Sequence, residues 1–216
     1  MNTKLVSLLL AFGLSINAAF SGNSAKIGYA SDFFYRGAQK AEESVQASVK
    51  LNSSVAGLGL SAHACTNQAV DAGGDSYHLG AGAGQSFADG LLSLYAGLNH
   101  FEDSPGNALS EFQVSISSNS VLSPSVSIFR DLDDSLYTVE LEVSHDLDLS
   151  VANLGLGASI GNTDVTNSDD RTYYGAGLTV SKEVSDNAGL AVKLDYVDAD
   201  DIDREFVIAT ALNFTF

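Results

Sequence analysis

Alternation of apolar and polar side chains recurs along this chain and constrains its fold more than any other feature. In residues 137–144, YTVELEVS, the odd-numbered positions are large and apolar, and the even-numbered positions are Thr, Glu, Glu and Ser. Residues 190–196, LAVKLDY, repeat the pattern with Lys193 and Asp195 on the polar face. A period of two predicts β-strands with two different faces. Burying these charged rows in a dry core would cost several kcal/mol for each unpaired ion, so the polar face must meet solvent or a wet lumen.

Twelve segments show the alternation, and no segment after the first two dozen residues offers the ~20 continuous apolar residues that a spanning helix needs. A chain without such a helix can cross a membrane only as a closed barrel, because every backbone group must be satisfied in hydrocarbon. An even strand number is typical of bacterial outer-membrane barrels. We therefore predict an all-β fold, a closed up-and-down antiparallel transmembrane barrel of twelve strands, with a soluble periplasmic sandwich as the minority alternative. The segments lie near residues 26–36, 44–54, 58–66, 76–87, 91–101, 109–118, 125–130, 137–149, 154–162, 172–184, 189–197 and 205–216.

The start of the chain has the pattern of a secretory signal peptide. Lys4 supplies a positive charge, residues 5–16 form an apolar stretch too short to span a membrane, and residues 17–24 are mostly small. We predict a signal peptide at 1–24 and an outer-membrane barrel domain at 25–216. Cleavage is compatible with any position from Ala18 to Ala25.

The connections between the predicted strands alternate in character. Every second one is acidic, and this set carries most of the carboxylates of the chain, whereas the intervening turns are poor in acid. Long outer loops and tight periplasmic turns are the known asymmetry of outer-membrane barrels. With both termini in the periplasm, the acidic connections form one outward mouth. Its predicted members are Asp131, Asp133, Asp134, Asp198, Asp200, Asp201 and Asp203.

The charge balance narrows the function. The chain has 10 Lys and Arg against 27 Asp and Glu, which excludes nucleic acid as a partner because phosphate binding requires the opposite sign. A negative mouth concentrates cations and repels anions. We predict passive diffusion of small hydrophilic solutes with a preference for cations, and contact with the lipid bilayer and with lipopolysaccharide. The alternative is a non-conducting outer-membrane barrel with a side-chain-filled lumen, acting in surface interaction or membrane integrity.

The alternation also predicts which charged side chains share the lumen. They either form a network of ion pairs that stiffens the wall or form a constriction that selects solutes by charge. Arg36 is the main candidate for both roles, because its planar guanidinium can hold a carboxylate through two parallel hydrogen bonds. The predicted lumen set is Asp32, Arg36, Lys50, Glu111, Glu140, Glu142, Lys193 and Asp195.

The last strand closes the chain on an aromatic residue. Phe206, Ile208, Leu212, Phe214 and Phe216 share the face predicted to meet lipid, and the other face carries small or polar residues. Leu212, Phe214 and Phe216 also resemble the C-terminal signal that passes outer-membrane proteins to the barrel-assembly machinery.

Several short motifs resemble the TorF-like porin family, also described as the Gcw_chp family of conserved proteobacterial outer-membrane proteins. The likeness begins at residues 30–37, ASDFFYRG, followed by Gln39, continues through residues 89–95 and 111–115, and ends with residues 189–200 and the closing strand. It covers most of the mature chain. The resemblance implies a porin fold and a porin function. Phe33 stands where the family usually has Tyr, and the chain has no Trp.

Signs of catalysis or of metal binding are absent from the sequence. It contains no G-x-S-x-G elbow, no H-E-x-x-H pair and no P-loop. His100 and His145 both have outward parity, lie far apart and have no evident nucleophile partner. The acidic clusters at 131–134 and 198–203 lack the glycine and the terminal Glu of a calcium loop. We predict that the protein is not an enzyme and holds no cofactor and no metal.

Overall fold

A computed structural model describes residues 22–71, 73–104, 106–134, 136–163, 171–200 and 202–216. Most of the predicted signal peptide and Asp201 of the predicted mouth lie outside these ranges. Among the described residues, no helix is long and apolar enough to cross a membrane. The strands are β1 (Ser24–Ala30), β2 (Phe33–Tyr35), β3 (Ala38–Ala41), β4 (Ser44–Val55), β5 (Leu58–Ala69), β6 (Ser76–Phe87), β7 (Leu92–Asp103), β8 (Asn107–Ser118), β9 (Ser125–Asp131), β10 (Tyr137–Leu149), β11 (Ala152–Thr163), β12 (Arg171–Ser185), β13 (Ala188–Ala199) and β14 (Ile202–Thr215).

Within the described ranges, β1 and β4 to β14 close a barrel of twelve antiparallel strands. Consecutive strands of the wall pair with each other, and β1 closes the ring by pairing with both β14 and β4. The register of the closing pair runs from Ser24 opposite Thr215 to Ala30 opposite Ala209. The predicted fold, a closed up-and-down barrel of twelve strands, is confirmed.

The wall has an apolar outer face and an inner face of small and polar residues. On β14, Phe206 and Ile208 are 65% and 56% exposed, whereas Val207 and Ala211 are only 6% and 8% exposed. Leu141 and Leu194 also lie on the exposed surface. So large an apolar surface is unfavourable in water and is the normal surface of a barrel in lipid. The predicted two faces of the last strand are confirmed.

The first predicted strand is wrong at its end. β1 stops at Ala30, and the chain then leaves the wall to form a separate two-stranded sheet of β2 and β3. Arg36 and Gly37 join these strands with φ of 50° and 75°, the left-handed pair of a type I′ hairpin turn. The alternation placed Asp32 and Arg36 on the first wall strand, and that prediction is wrong because both lie beyond Ala30, outside the wall. We call residues 33–41 the inner hairpin.

The acidic connections are shorter than predicted because pairing continues into them. Asp198 lies inside β13 and Asp203 inside β14, whose pairing extends to Ala199 and Ile202 through an irregular register. Asp131 ends β9, and its N–H donates to the carbonyl of Leu136. These three members of the predicted mouth belong to strands rather than to loops.

Candidate solute pathway

The inner hairpin crosses the interior at the end of the barrel that carries the acidic connections. It leaves the wall between the neighbours β1 and β4, and Arg36 at its tip reaches Glu111 on β8. On the other side, the Arg36 carbonyl accepts a hydrogen bond of 2.8 Å from Nη2 of Arg171, the first residue of β12. A Cβ added at Gly37 would lie 2.7 Å from Cβ of Tyr173. The tip is thus seated between separate parts of the wall.

The Arg36 guanidinium holds the Glu111 carboxylate through two parallel hydrogen bonds. Nη1 donates to Oε1, Nη2 donates to Oε2 at 2.8 Å, and the Tyr35 hydroxyl donates to the same Oε2 at 3.2 Å. The guanidinium also lies 3.9 Å from the centre of the Phe129 ring. Burial alone would lower the pKa of Arg36, but the hydrogen bonds to Glu111 and the electrostatic attraction of Tyr35, Glu111 and Tyr173 together outweigh burial and raise the pKa. The opposite charges of Arg36 and Glu111 compensate each other.

Two further contacts fix the sides of the inner hairpin against the wall. The Tyr35 ring stacks on Phe101 of β7, with the ring centres 4.6 Å apart and the planes 8° apart. Lys40 Nζ lies 2.8 Å from Oδ2 of Asp103. The stacked rings limit rocking of the hairpin, and the partly exposed ion pair adds only a small contribution. The hairpin therefore rests mainly on the wall from β7 to β9.

An open pocket of about 530 Å³ remains between the inner hairpin and the wall from β10 to β13. Phe34, Arg36 and Gly37 of the hairpin form one side of it. The charged wall residues that line it are Glu140, Glu142, Asp146, Lys193 and Asp195. Two of the acids are already partnered, since the Tyr173 hydroxyl donates to Glu140 at 2.8 Å and Lys193 lies 2.8 Å from Asp195. We call this space the acid-lined pocket.

Glycines on β11 and β12 create the width of this pocket. A Cβ added at Gly177 would lie 2.4 Å from an oxygen of Asp195, and one at Gly155 would lie 3.0 Å from an oxygen of Asp146. The inward row of these strands is therefore almost without side chains where the acids project. The sequence signal for it is the alternation of glycine with larger residues at 154–161, LGLGASIG.

The structure divides the predicted lumen set into a locked pair, four pocket residues and two residues that belong to neither. Arg36 and Glu111 form the locked pair, while Glu140, Glu142, Lys193 and Asp195 line the acid-lined pocket. Asp32 lies at the base of the hairpin, where it accepts a 3.0 Å hydrogen bond from Gln39. Lys50 lies on β4 opposite His63. Tyr173 and Asp146 also line the pocket but were not predicted from the sequence. Tyr173 precedes the clearest alternation of β12, and Asp146 follows the clearest alternation of β10.

The predicted acidic mouth is only in part a set of free loop carboxylates. The Asp131 carboxylate accepts hydrogen bonds from the N–H groups of Asp133 and Asp134. Asp198 accepts the Tyr196 hydroxyl at 2.8 Å and lies 3.5 Å from Nε of Arg204, and Asp200 accepts the N–H of Thr172. Asp198 and Tyr196 share the outward row of β13 with the exposed Leu194. Asp131, Asp198 and Asp200 are therefore held in place by local hydrogen bonds, and Arg204 offsets part of the charge of Asp198.

His100 has a serine partner, contrary to the sequence-based expectation. Its Nδ1 lies 3.0 Å from Oγ of Ser110 on the neighbouring strand. The Glu102 carboxylate lies 3.8 Å from its Nε2, which is beyond hydrogen-bond range. Glu102 instead accepts the hydroxyl of Tyr77. A hydrolytic relay needs a base oriented by a third group, and this arrangement does not supply one.

Comparison with known proteins identifies the fold. No protein-family model and no curated protein matches the chain. Among solved structures, the KdgM porin is similar with a TM-score of 0.60 at 13% identity, over 89% of this chain and 99% of its own. An outer membrane channel from Pseudomonas putida F1 gives 0.63 at 12% identity, over 91% and 96%. Outer membrane phospholipase A from Escherichia coli gives 0.55 at 11%, over 96% and 97%. The chain thus has the fold and the apolar outer surface of a Gram-negative outer-membrane barrel.

Proposed function

We propose that this protein is a porin-like channel of the outer membrane through which small hydrophilic solutes diffuse, with a preference for cations. The observation that carries the proposal is a closed barrel, apolar outside, whose interior keeps a charged open pocket beside the inner hairpin. The resemblance to TorF-like porins supports it, since the motif at residues 30–37 forms the start and the tip of that hairpin. The start of β1 and the end of β14 lie at the end away from the hairpin, which supports placing the hairpin at the outer surface of the cell.

The cation preference is supported by the interior more than by the rim. Glu140, Glu142 and Asp146 project into the pocket from one face of β10, and Lys193 is offset by Asp195. Arg36 is offset by Glu111. The remaining field in the pocket is negative, and charges that line a narrow passage act on each passing ion at close range. KdgM has been solved in complex with oligogalacturonate, a polyanion; the acid-lined pocket favours neutral or cationic solutes instead.

The test is single-channel recording of the refolded protein in planar bilayers. An open pathway gives discrete current steps, and a tenfold KCl gradient gives a reversal potential whose sign reports cation selectivity. The inner hairpin specifically favours the second candidate, a non-conducting barrel that acts in surface interaction or membrane integrity, because it fills part of the interior. A barrel that inserts into the bilayer and gives no steps would decide for that candidate.

Neutralising the interior acids is expected to move the reversal potential strongly towards zero. The variant is E140Q/E142Q/D146N, which keeps the size of each side chain and removes its charge. The matched control is D133N/D134N at the rim, where exposed carboxylates are screened by salt within a Debye length of ~8 Å at physiological ionic strength. The control is expected to move the reversal potential less. A larger shift in the rim variant would place selectivity at the mouth, as the sequence predicted.

We infer that the signal peptide is removed before Asn23, two residues or more upstream of the predicted boundary. Asn23 is 1% exposed, its side chain accepts the N–H of Asn52, and its carbonyl accepts the N–H of Phe216. Losing it would leave backbone groups at the barrel seam without partners. Mass spectrometry of protein from outer membranes is expected to find a mature N-terminus at or before residue 23. A terminus at Ala25 would contradict this inference.

A further inference from the structure

Two histidines face each other on the interior wall beside the inner hairpin. His63 lies on β5 and His78 on the neighbouring strand β6. Their Nε2 atoms are 3.5 Å apart, and their ring planes meet at 72°. The Tyr35 ring of the hairpin lies 6.3 Å from the His78 ring, edge to face, which shows that the pair lies inside the barrel. The proposed function does not use these side chains.

Local structure holds the His63 ring in this position. A Cβ added at Gly80 would lie 2.2 Å from Cε1 and 2.6 Å from Nε2 of His63, so only glycine leaves space for the ring. The same Cβ would lie 2.5 Å from Oδ1 of Asn99. Asn99 uses its NH₂ group to donate to Gln113 at 3.0 Å, which leaves its carbonyl oxygen beside the histidines. Nε2 of His63 and the amide oxygen of Asn99 thus meet over Gly80, and Nε2 of His78 lies 3.5 Å from that of His63.

The spacing of the two nitrogens fits one metal ion. With Zn–N bonds of about 2.0–2.1 Å, two ligands of a tetrahedral ion lie roughly 3.3–3.4 Å apart, close to the observed separation. Imidazole suits Zn²⁺ and the neighbouring divalent ions of the first transition row. We propose that His63 and His78 form a lumenal binding site for such an ion through their Nε2 atoms. Water and the Asn99 oxygen are available for the other positions.

The surroundings of the pair predict weak, reversible binding. In the described ranges, no group of three or more His, Cys, Asp or Glu side chains converges as a metal site, so the ion stays open to solvent on one side. Lys50 lies directly opposite His63 in the strand register and brings a positive charge to the same row. Arg36 and Glu111, the next charges on the hairpin side, neutralise each other. The site is therefore suited to capture and release of an ion rather than to permanent retention.

Isothermal titration with Zn²⁺ tests the site directly. The protein is used without a polyhistidine tag, refolded in detergent, and each variant is checked for its heat-dependent mobility shift in gel electrophoresis. The wild type is expected to bind one equivalent, and H63Q and H78Q are each expected to weaken binding at least tenfold. H100Q/H145Q, which removes the two outward histidines, and C65S, which removes the only thiol, are expected to bind like the wild type.

Lys50 supplies a second measurement with the opposite sign. K50M removes the cation beside His63 and is expected to tighten Zn²⁺ binding severalfold. This measurement can be made even if the histidine variants do not fold. The proposal is overturned if the wild type shows no saturable one-equivalent binding, or if H63Q and H78Q bind as tightly as H100Q/H145Q. Because titration in detergent does not depend on ion flow, a sealed barrel would defeat the proposed channel and leave this site standing.

Discussion

A barrel without the inner hairpin is expected to conduct several times more current than the wild type. The hairpin occupies the interior from Arg36 to its base and leaves the acid-lined pocket open beside it. Ala30 of β1 and Ser44 of β4 are direct partners in the sheet, so an Asn-Gly turn in place of residues 31–43 can join the strands without strain. The wall keeps all twelve strands and loses only the backbone hydrogen bonds of Ser31 with Ile208 and of Glu43 with Val70 at its rim. Conductance in planar bilayers at fixed salt measures the effect.

The control is an Asn-Gly turn in place of residues 119–124, the connection between β8 and β9 at the opposite end. Val121 and Leu122 are 75% and 56% exposed there, and the connection bonds to the wall only at this end, where the Leu122 carbonyl accepts the N–H of Ser144 and the N–H of Asn119 donates to Leu91. Its loss is therefore expected to leave the conductance unchanged. Wild-type conductance in the hairpin-free barrel would show that another element limits the flow. Current steps that occur only after removal of the hairpin would identify the native protein as the sealed alternative.

The barrel was predictable because its wall follows one rule. Each strand places large apolar residues on lipid and small or charged residues inside, so the parity of a side chain fixes its face. The same rule located Glu140, Glu142, Lys193 and Asp195, which all line the pocket. It could not end a strand, since residues 26–36 keep alternating through the point where the chain leaves the wall.

The inner hairpin was not predicted because it depends on an unusual turn conformation and on a contact with a residue that is distant in the sequence. From residue type alone, a positive φ is expected at Gly37 but not at Arg36. In the structure both have a positive φ, which is uncommon for Arg. What stabilises it is a carboxylate 75 residues away. Alternation carries no information about such a contact. His78 was missed because residues 80–84 in the middle of β6, GAGAG, are small on both faces and interrupt the alternation of that strand.

Removing the Glu111 carboxylate is expected to release the inner hairpin into solvent. The side chains of Arg36 and Glu111 are 12% and 4% exposed, and leaving one charge of a buried pair without its partner costs about 3–5 kcal/mol. The barrel need not unfold to avoid this cost, since the hairpin can undock alone. The free energy of undocking therefore sets the upper limit of the stability that the protein loses. In E111A, the bonds after Arg36 and Lys40 should become cleavable by trypsin added outside proteoliposomes. Mass spectrometry of the fragments identifies the cut, and conductance should rise towards that of the hairpin-free barrel.

Two variants separate this effect from a general weakening of the hairpin. D103N removes the partner of Lys40, whose side chain is 26% exposed, and a part-exposed ion pair contributes little, so its hairpin should resist trypsin like the wild type. R36M/E111M replaces the buried pair with apolar side chains beside Phe129, which is often neutral or stabilising, and Lys40 in that variant should stay protected. Equal cleavage of E111A and D103N would mean that the Arg36 to Glu111 pair does not hold the hairpin. Protection in the double variant together with cleavage in E111A would assign the undocking to the unpaired charge itself, because both variants lack the same hydrogen bonds.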